Sequence, residues 1–433
     1  MPPFFKIYLP IFGAIGGGLV RLNRNRLNIG TYCLQPYART PAHIQDLAAC
    51  GIDFVIGIDN DRGVLDLFSQ YGIGAVVSGI VPGWFGGLGE NAGTMWKTNH
   101  LGSYTAAAEK FCDHPAIWGI DVGDEPSARD FPHYGKAVAA VNEAFANQFA
   151  YLNLYPSYGM LATNTPEAVK NQLGTDTYEE YIAQYCQYVK TDYICCDYYP
   201  YSCNTSGFYE NLRIVSDACR KNKRQFWIVL QVNSHREDVI LSTNQLRFQA
   251  YTAMAFGAEV ISWACYTAGW WHHQVLDSQG NKTEQYTKLQ CVNREIHTIA
   301  DAYMCYRNVA THFIGKVDWL QRAAVSFSTD RIINLREEND LPLVIGEMVS
   351  REQGGGQAVM LCPIDDPMDC ESHVYHLHFS ADGDDNITAF DGNGIHAVEK
   401  CADGTYELKL TSNQGVLLTI SALPQQFPDT GSW

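Results

Sequence analysis

Eight short apolar runs recur between residues 28 and 312, and each is followed by a segment with helical spacing. The predicted strands are Asn28–Leu34, Phe54–Ile58, Gly74–Ser78, Ile117–Val122, Ala150–Leu154, Tyr193–Asp197, Trp227–Val232 and Val260–Tyr266. Parallel strands need a crossover, normally a helix, so a strand–helix unit repeated this often leaves few architectures open. The alternation predicts an α/β fold, a (β/α)8 TIM barrel over residues 28–312. An open doubly wound sheet is the runner-up, but no Gly-x-Gly-x-x-Gly joins the first strand to the first helix. Local signals agree with the helices. Thr40-Pro41 is a cap and first-turn pair, Tyr178–Val189 carries an aromatic stripe, and Asn244–Phe256 and Glu284–Tyr303 are strongly periodic.

After Phe313 the pattern changes to short strand-like runs, such as Ala323–Phe327, Leu343–Ile345, Gln357–Cys362, His373–Phe379 and Gly415–Ile420. Clusters of Gly, Asp and Asn separate them, and this predicts a small all-β sandwich over residues 313–433. The Asp382–Asp385 run lacks the spacing and terminal Glu of a calcium loop and reads as a solvated turn. Residues 1–27 form an N-terminal extension. Its apolar run, Ile7 to Val20, is too short to span a membrane and is followed by no clean cleavage site.

Charge and cysteine usage narrow the function. The net charge of −17 argues against nucleic acid or an anionic membrane as partner. The fourteen cysteines show no Cys-x-x-Cys pair and no Cys/His cluster at zinc spacing. They read as mostly free thiols in a reducing compartment, so the expected location is cytoplasmic, with secretion as the alternative. No cofactor and no metal is expected, and the sequence is silent on oligomeric state.

In a barrel of this kind the chemistry lies at the C-terminal ends of the strands. The fourth strand runs Ala116-Ile117-Trp118-Gly119-Ile120-Asp121-Val122-Gly123 into Asp124-Glu125-Pro126. Pro126 biases Glu125 away from helix and holds the acid pair at a strand end. Two adjacent carboxyls repel, so one is expected to keep its proton near neutral pH. A protonated carboxyl beside an ionised one is what acid-catalysed glycoside cleavage requires. The plainer reading is a helix cap, with Asp124 and Ser127 ahead of the segment from Asp130 to Ala146.

The other strand ends supply a rim suited to a neutral sugar, with flat apolar faces and hydrogen-bonding groups. Candidate carbohydrate contacts are Tyr37, Asp59, Trp84, Asn153, Tyr155, Tyr198, Gln231, Asn233, Trp263, Tyr266, Trp270 and Trp271. Asp197, ending the sixth strand, is either a nucleophile or a buried structural partner. Glu237, after the seventh, is either a nucleophile or a solvated loop charge.

With Asp124-Glu125-Pro126 on strand 4 and Trp263 on strand 8, the chain resembles the retaining (β/α)8 glycoside hydrolases of the cellulase and β-galactosidase clan. Their acid/base Glu ends strand 4, often as Asn-Glu-Pro, and a small β-domain often follows the barrel. The resemblance implies Glu125 as general acid/base. It also implies a nucleophilic Glu ending strand 7, where this chain has Gln231. Three readings follow: Glu237 or Asp197 replaces the missing carboxylate; Asp124-Glu125 works as the pair of a substrate-assisted β-N-acetylhexosaminidase, Asp124 orienting the 2-acetamido group; or the barrel binds carbohydrate without cleaving it.

Overall fold

The computed structural model describes residues 22–85, 89–163, 165–203, 205–267, 269, 271–316, 323–352, 355–364, 373–382 and 386–421. Eight parallel strands form the first sheet: β1 Asn28–Tyr32, β2 Phe54–Asp59, β3 Gly74–Ser78, β4 Ile117–Asp124, β5 Phe149–Asn153, β6 Tyr193–Asp197, β7 Gln225–Gln231 and β8 Ala258–Ala264. Their order is β5-β4-β3-β2-β1-β8-β7-β6. The two ends meet through one parallel bridge, Leu154 to Cys196, with Leu154 N–H donating to the Cys195 carbonyl at 2.9 Å. Elsewhere along this seam the Tyr193 side chain takes the place of the ladder. Its hydroxyl donates to the Ala150 carbonyl at 2.7 Å and accepts from Leu152 N–H at 3.0 Å. Backbone groups that a strand neighbour would have satisfied are thereby paired, and the sheet closes as a (β/α)8 barrel.

The helices begin where capping chemistry places them. Thr40 accepts from His43 N–H ahead of Pro41–Ala49, and capping boxes at Thr177/Glu180 and Ser242/Gln245 open Tyr178–Tyr188 and Thr243–Ala255. The barrel interior combines large rings with aliphatic side chains: Phe54, Trp118, Tyr151, Tyr193 and Trp227 share one core cluster with Ile56, Val76, Val229 and Val260, and Tyr193 stacks on Trp227 at 3.9 Å. Gly74 makes room for them, since a Cβ there would lie 2.1 Å from the Trp118 ring.

The last helix, Glu284–Met304, leads directly into β9, Tyr306–Ile314, which pairs antiparallel with β11, Leu343–Ser350. The β-domain therefore begins at Tyr306, not at residue 313 as the sequence pattern suggested; β9 is half-buried along its length and lacks a clear apolar signature. With β12 (Gln357–Pro363), β14 (Asn386–Asp391), β15 (Gly394–Ala397) and β17 (Val416–Ser421), these strands make a six-stranded sheet. A three-stranded sheet of β10 (Ile332–Glu337), β13 (Val374–Ala381) and β16 (Tyr406–Thr411) covers one face. The predicted strand Ala323–Phe327 makes only isolated bridges, Ala324 to Ile314 and Phe327 to Leu335.

Alternation within the large sheet explains how the domain is held. Leu343, Ile345, Val359, Leu361 and Leu418 face the small sheet. Val344, Met348, Met360, Cys362 and Leu417 join the barrel core instead, and these strands lie against the helices Thr243–Ala255 and Glu284–Met304. Both faces are buried, which is why the strands read as continuous apolar runs rather than alternating ones. At Gly346 a Cβ would meet the Ala255 carbonyl at 2.2 Å, so only glycine permits this sheet–helix approach.

Candidate active site

Strand β4 carries a bulge at its C-terminal end. Asp121 pairs with Tyr151 and Asp124 with Asn153, so three residues on β4 span what two span on β5. Gly123 makes the bulge, with φ 139; a Cβ there would lie 2.1 Å from the Trp84 carbonyl and 2.3 Å from the Tyr134 hydroxyl. Trp84 is bridged to this bulge, its N–H donating to Val122 O and its carbonyl accepting from Asp124 N–H, each at 3.2 Å. Glu125 then turns into the left-handed region, φ 44, with its N–H bonded to the Asn153 carbonyl at 3.0 Å. A non-glycine residue held there costs about 1–3 kcal/mol and tends to occur at functional sites. Tyr181 fixes the next residue, donating to the Pro126 carbonyl at 2.7 Å. The helix-cap reading fails for Asp124: Ser127 caps the short turn Ala128–Asp130, while Asp124 points into the barrel mouth.

Three carboxyls meet there. Glu125 and Asp197 border the same pocket, close enough to shift each other's protonation, and Asp197 accepts from Asn153 Nδ2 at 3.0 Å. Asp124 sits opposite Asn153 in the strand register, and Cys195 donates to Asn153 Oδ1 at 3.3 Å. Asp124 Oδ1 is buried and makes no hydrogen bond among the described residues. Burial, reinforced by the charges of Asp197 and Asp121, pushes Asp124 up to about 7. Burial also raises Asp197 to about 7. Glu125 is raised well above the usual carboxylate range, by burial first and then by Asp197 and Asp124. Carboxyls buried together cannot all ionise without mutual repulsion, so the group tends to retain a proton near neutral pH.

The trio opens into a pocket of ≈ 630 Å³, bordered by Tyr32, Cys33, Tyr158, Tyr199, Cys265 and Trp271. Trp271 packs edge-on to Tyr199, with ring centroids 4.8 Å apart, and 3.8 Å from the His235 ring. Of the sequence candidates, Glu125, Asp124, Asp197, Asn153 and Trp271 border this pocket. Tyr155 is buried next to the trio, its phenol raised by burial and by Glu125, Asp124 and Asp197 in turn, though it does not line the pocket. Tyr37 lines an adjoining depression shared with Trp271. Trp270 lies outside the described residues.

Several candidates are displaced. Tyr198 points outward, packing against Tyr158 and Phe208 in the helical layer. Side chains alternate along a strand, so it is Tyr199, two residues from Asp197, that shares its face. Trp263 is outward for the same reason and is fully buried, donating Nε1–H to Asn293 of the last helix at 2.9 Å. Tyr266 is likewise buried outside the pocket. Gln231 is fully buried beneath the loop after β6, donating to Ser202 at 2.8 Å and accepting from Tyr201 N–H at 3.2 Å. Asn233 brackets Cys265, bonding its N–H and its carbonyl at 3.0 and 2.8 Å, across the residue that follows the cis Ala264–Cys265 peptide. Asp59 is an exposed partner of Arg39 at 2.8 Å. Trp84 donates to Asp130 at 3.2 Å and lines a separate rim depression. Glu237 sits in an exposed loop, off the pocket, where its carbonyl accepts from His273.

The raised carboxyls set a pH signature. A group whose pKa is higher folded than unfolded holds a proton longer in the native state, so stability declines as pH rises through the interval between the two values. For Asp124 and Asp197 that interval runs from the ordinary carboxylate range to about 7, and Glu125 is shifted in the same direction. The melting temperature of Glu125→Gln should therefore gain on the wild type as pH goes from about 5 to about 8. Calorimetry at several pH values checks this, and a gap that stays constant or shrinks would contradict the shared-proton trio.

No family model and no curated protein matches the chain. Solved structures do. A protein described as a glycoside hydrolase aligns over 94% of this chain and 97% of its own, with a TM-score of 0.52 at 9% identity. A glycoside hydrolase family 5 protein from Bacteroides vulgatus aligns over 94% and 92%, with a TM-score of 0.49 at 8% identity. An endoglucanase from Pseudomonas stutzeri aligns over 61% and 93%, with a TM-score of 0.42 at 12% identity. At such identities the likeness speaks to fold. This chain is a (β/α)8 barrel followed by a β-sandwich, an architecture shared over nearly its whole length with a solved glycoside hydrolase.

Proposed function

We propose that this chain is a glycoside hydrolase acting on a neutral glycoside or oligosaccharide, with Glu125 as general acid/base and Asp197 as its carboxylate partner. The observation that carries this reading is the convergence of Glu125 and Asp197 on one pocket at the barrel mouth, beside the rings of Tyr199 and Trp271. Asp197 supplies from β6 the carboxylate that Gln231 cannot supply from β7. Glu237 is set aside because it is exposed and, unlike its neighbours His235 and Arg236, does not line the pocket.

In this reading a sugar is bound between the two carboxyls. Glu125 keeps the proton and delivers it to the departing glycosidic oxygen, while Asp197, ionised, faces the anomeric carbon. Retaining enzymes hold such a pair about 5–5.5 Å apart. Asp124 is buried beside Glu125, and its charge, when it ionises, favours the protonated form of Glu125. The thirteen described cysteines are all free, which favours a reducing, cytoplasmic setting.

The test is a screen of 2-hydroxy and 2-acetamido aryl glycosides, followed by a 2-deoxy-2-fluoroglycoside trap and peptide mass mapping. The expected result is turnover of a 2-hydroxy sugar and a covalent label on Asp197. A label on Glu237 would move the nucleophile to that loop. Cleavage of 2-acetamido sugars alone would transfer the role to the Asp124-assisted mechanism, and saturable glycan binding with no turnover of either class would remove the enzymatic reading.

A further inference from the structure

We propose that the cleft between the base of the barrel and the β-sandwich binds a small oligoanion, its phosphate or carboxylate oxygens held by Lys223, Arg224 and Arg307. This goes beyond the glycosidase reading and does not depend on it. The cleft measures ≈ 870 Å³ and is bordered by Gln225 and Phe226 at the start of β7, Glu259 near the start of β8, and Arg307 to Val309 on β9. It therefore lies at the end of the barrel away from the carboxyl trio, and at a domain junction, where small-molecule sites concentrate.

Its charge is opposite to that of the chain. Arg24, Arg220, Lys223, Arg224, Arg307 and Arg351 line it, against two carboxylates, Asp192 and Glu259, in a protein of net charge −17. Three of these cations are engaged. Arg24 pairs with Asp192 at 2.5 Å and Arg351 with Glu259 at 2.8 Å, while Arg220 bonds Asp217, Ser216 and Asn308. Three are not fully engaged. Lys223 and Arg307 are exposed, and their side chains make no hydrogen bond or ion pair among the described residues. Arg224 donates Nη2 to the Cys186 carbonyl at 3.1 Å and lies over the Tyr185 ring, but its Nη1 is buried and has no acceptor among the described residues. A buried donor without a partner costs about 1–3 kcal/mol, more when charged.

Helix-dipole compensation accounts for part of the cluster, because Arg220 and Lys221 occupy the last turn of Thr205–Asn222. It does not account for Arg307 and Arg351, which the β-domain brings to the same cleft. Like charges delivered by two domains to one concave site are favourable when an anion lies between them, and guanidinium forks suit phosphate and carboxylate geometry.

The full chain is titrated calorimetrically with inorganic pyrophosphate and, separately, with citrate, ionic strength being fixed with sodium chloride. The expected result is saturable one-site binding of at least one of the two, accompanied by a higher melting temperature. The tighter ligand distinguishes a phosphate from a carboxylate source. In the double variant Lys223→Glu, Arg307→Glu, affinity should fall about tenfold or more, since each change removes a charge-assisted contact. Both residues are exposed and unpaired among the described residues, so the variant should fold, which its circular dichroism confirms. Absence of saturable binding by both anions, or unchanged affinity in a folded double variant, overturns the proposal.

Discussion

Replacing Glu125 by Gln is expected to slow cleavage of alkyl glycosides by about 10²–10⁴-fold, the usual contribution of a positioned proton donor. Gln is nearly isosteric and still offers a donor to Asp197, so pocket shape and ligand binding should survive. The loss should depend on the leaving group. A nitrophenolate departs with little protonation, so aryl glycosides should lose far less than alkyl ones. Measuring kcat and KM for both classes separates the roles. Equal losses on both substrates would mark Glu125 as a structural residue, held in its left-handed turn by Asn153 and Pro126 alone.

Asp197→Asn is expected to be at least as damaging, and to leave a different trace. An amide cannot act as the partner carboxylate, so both substrate classes should lose about 10³-fold or more, in line with the cost of removing one member of a catalytic pair. The neighbouring proton should respond as well. Asp197 is the largest charge contribution holding Glu125 high, so its removal lets Glu125 ionise at lower pH. The alkaline limb of any residual activity should then move to lower pH, because the acid form of Glu125 is lost sooner. Glu237→Gln serves as the control and should match the wild type in rate and pH profile. A pH profile unmoved in Asp197→Asn, or a comparable loss in Glu237→Gln, would break the assignment of the pair.

The site was legible in part, for reasons that differ residue by residue. Asp124-Glu125-Pro126 could be read because a strand end, two acids and a helix-breaking residue coincide within three positions. Asp197 could be read because it closes a short apolar strand. Tyr199 was within reach by the period-two rule but was passed over for its neighbour Tyr198; the strand register decides which of two adjacent tyrosines faces the sugar pocket. Trp263 misled for a related reason. A tryptophan near a strand end suggests a sugar platform, yet its parity on β8 sends it to Asn293 in the helical layer. Gln231 shows the limit most clearly, since only its depth beneath Ser202 and Tyr201 removes it from the pocket.

The sequence by itself determined the barrel, because eight strand–helix units with period-specific apolar patterns admit few other parallel closures. It also placed the Asp124-Glu125 pair at the end of β4, because that depends on local order along one strand. The meeting of Glu125 and Asp197 at one pocket was decided only by the tertiary structure. So were the position of Glu237 off that pocket, the entry of β9 into the β-domain from Tyr306 and the cationic cleft between domains. Each of these depends on which distant segments the closed barrel brings together. Glu125 and Asp197 are far apart in the chain and meet through β5, whose Asn153 joins them. Such contacts follow from register, bulge and seam geometry, and these are settled by packing across the whole barrel rather than by any local run of residues.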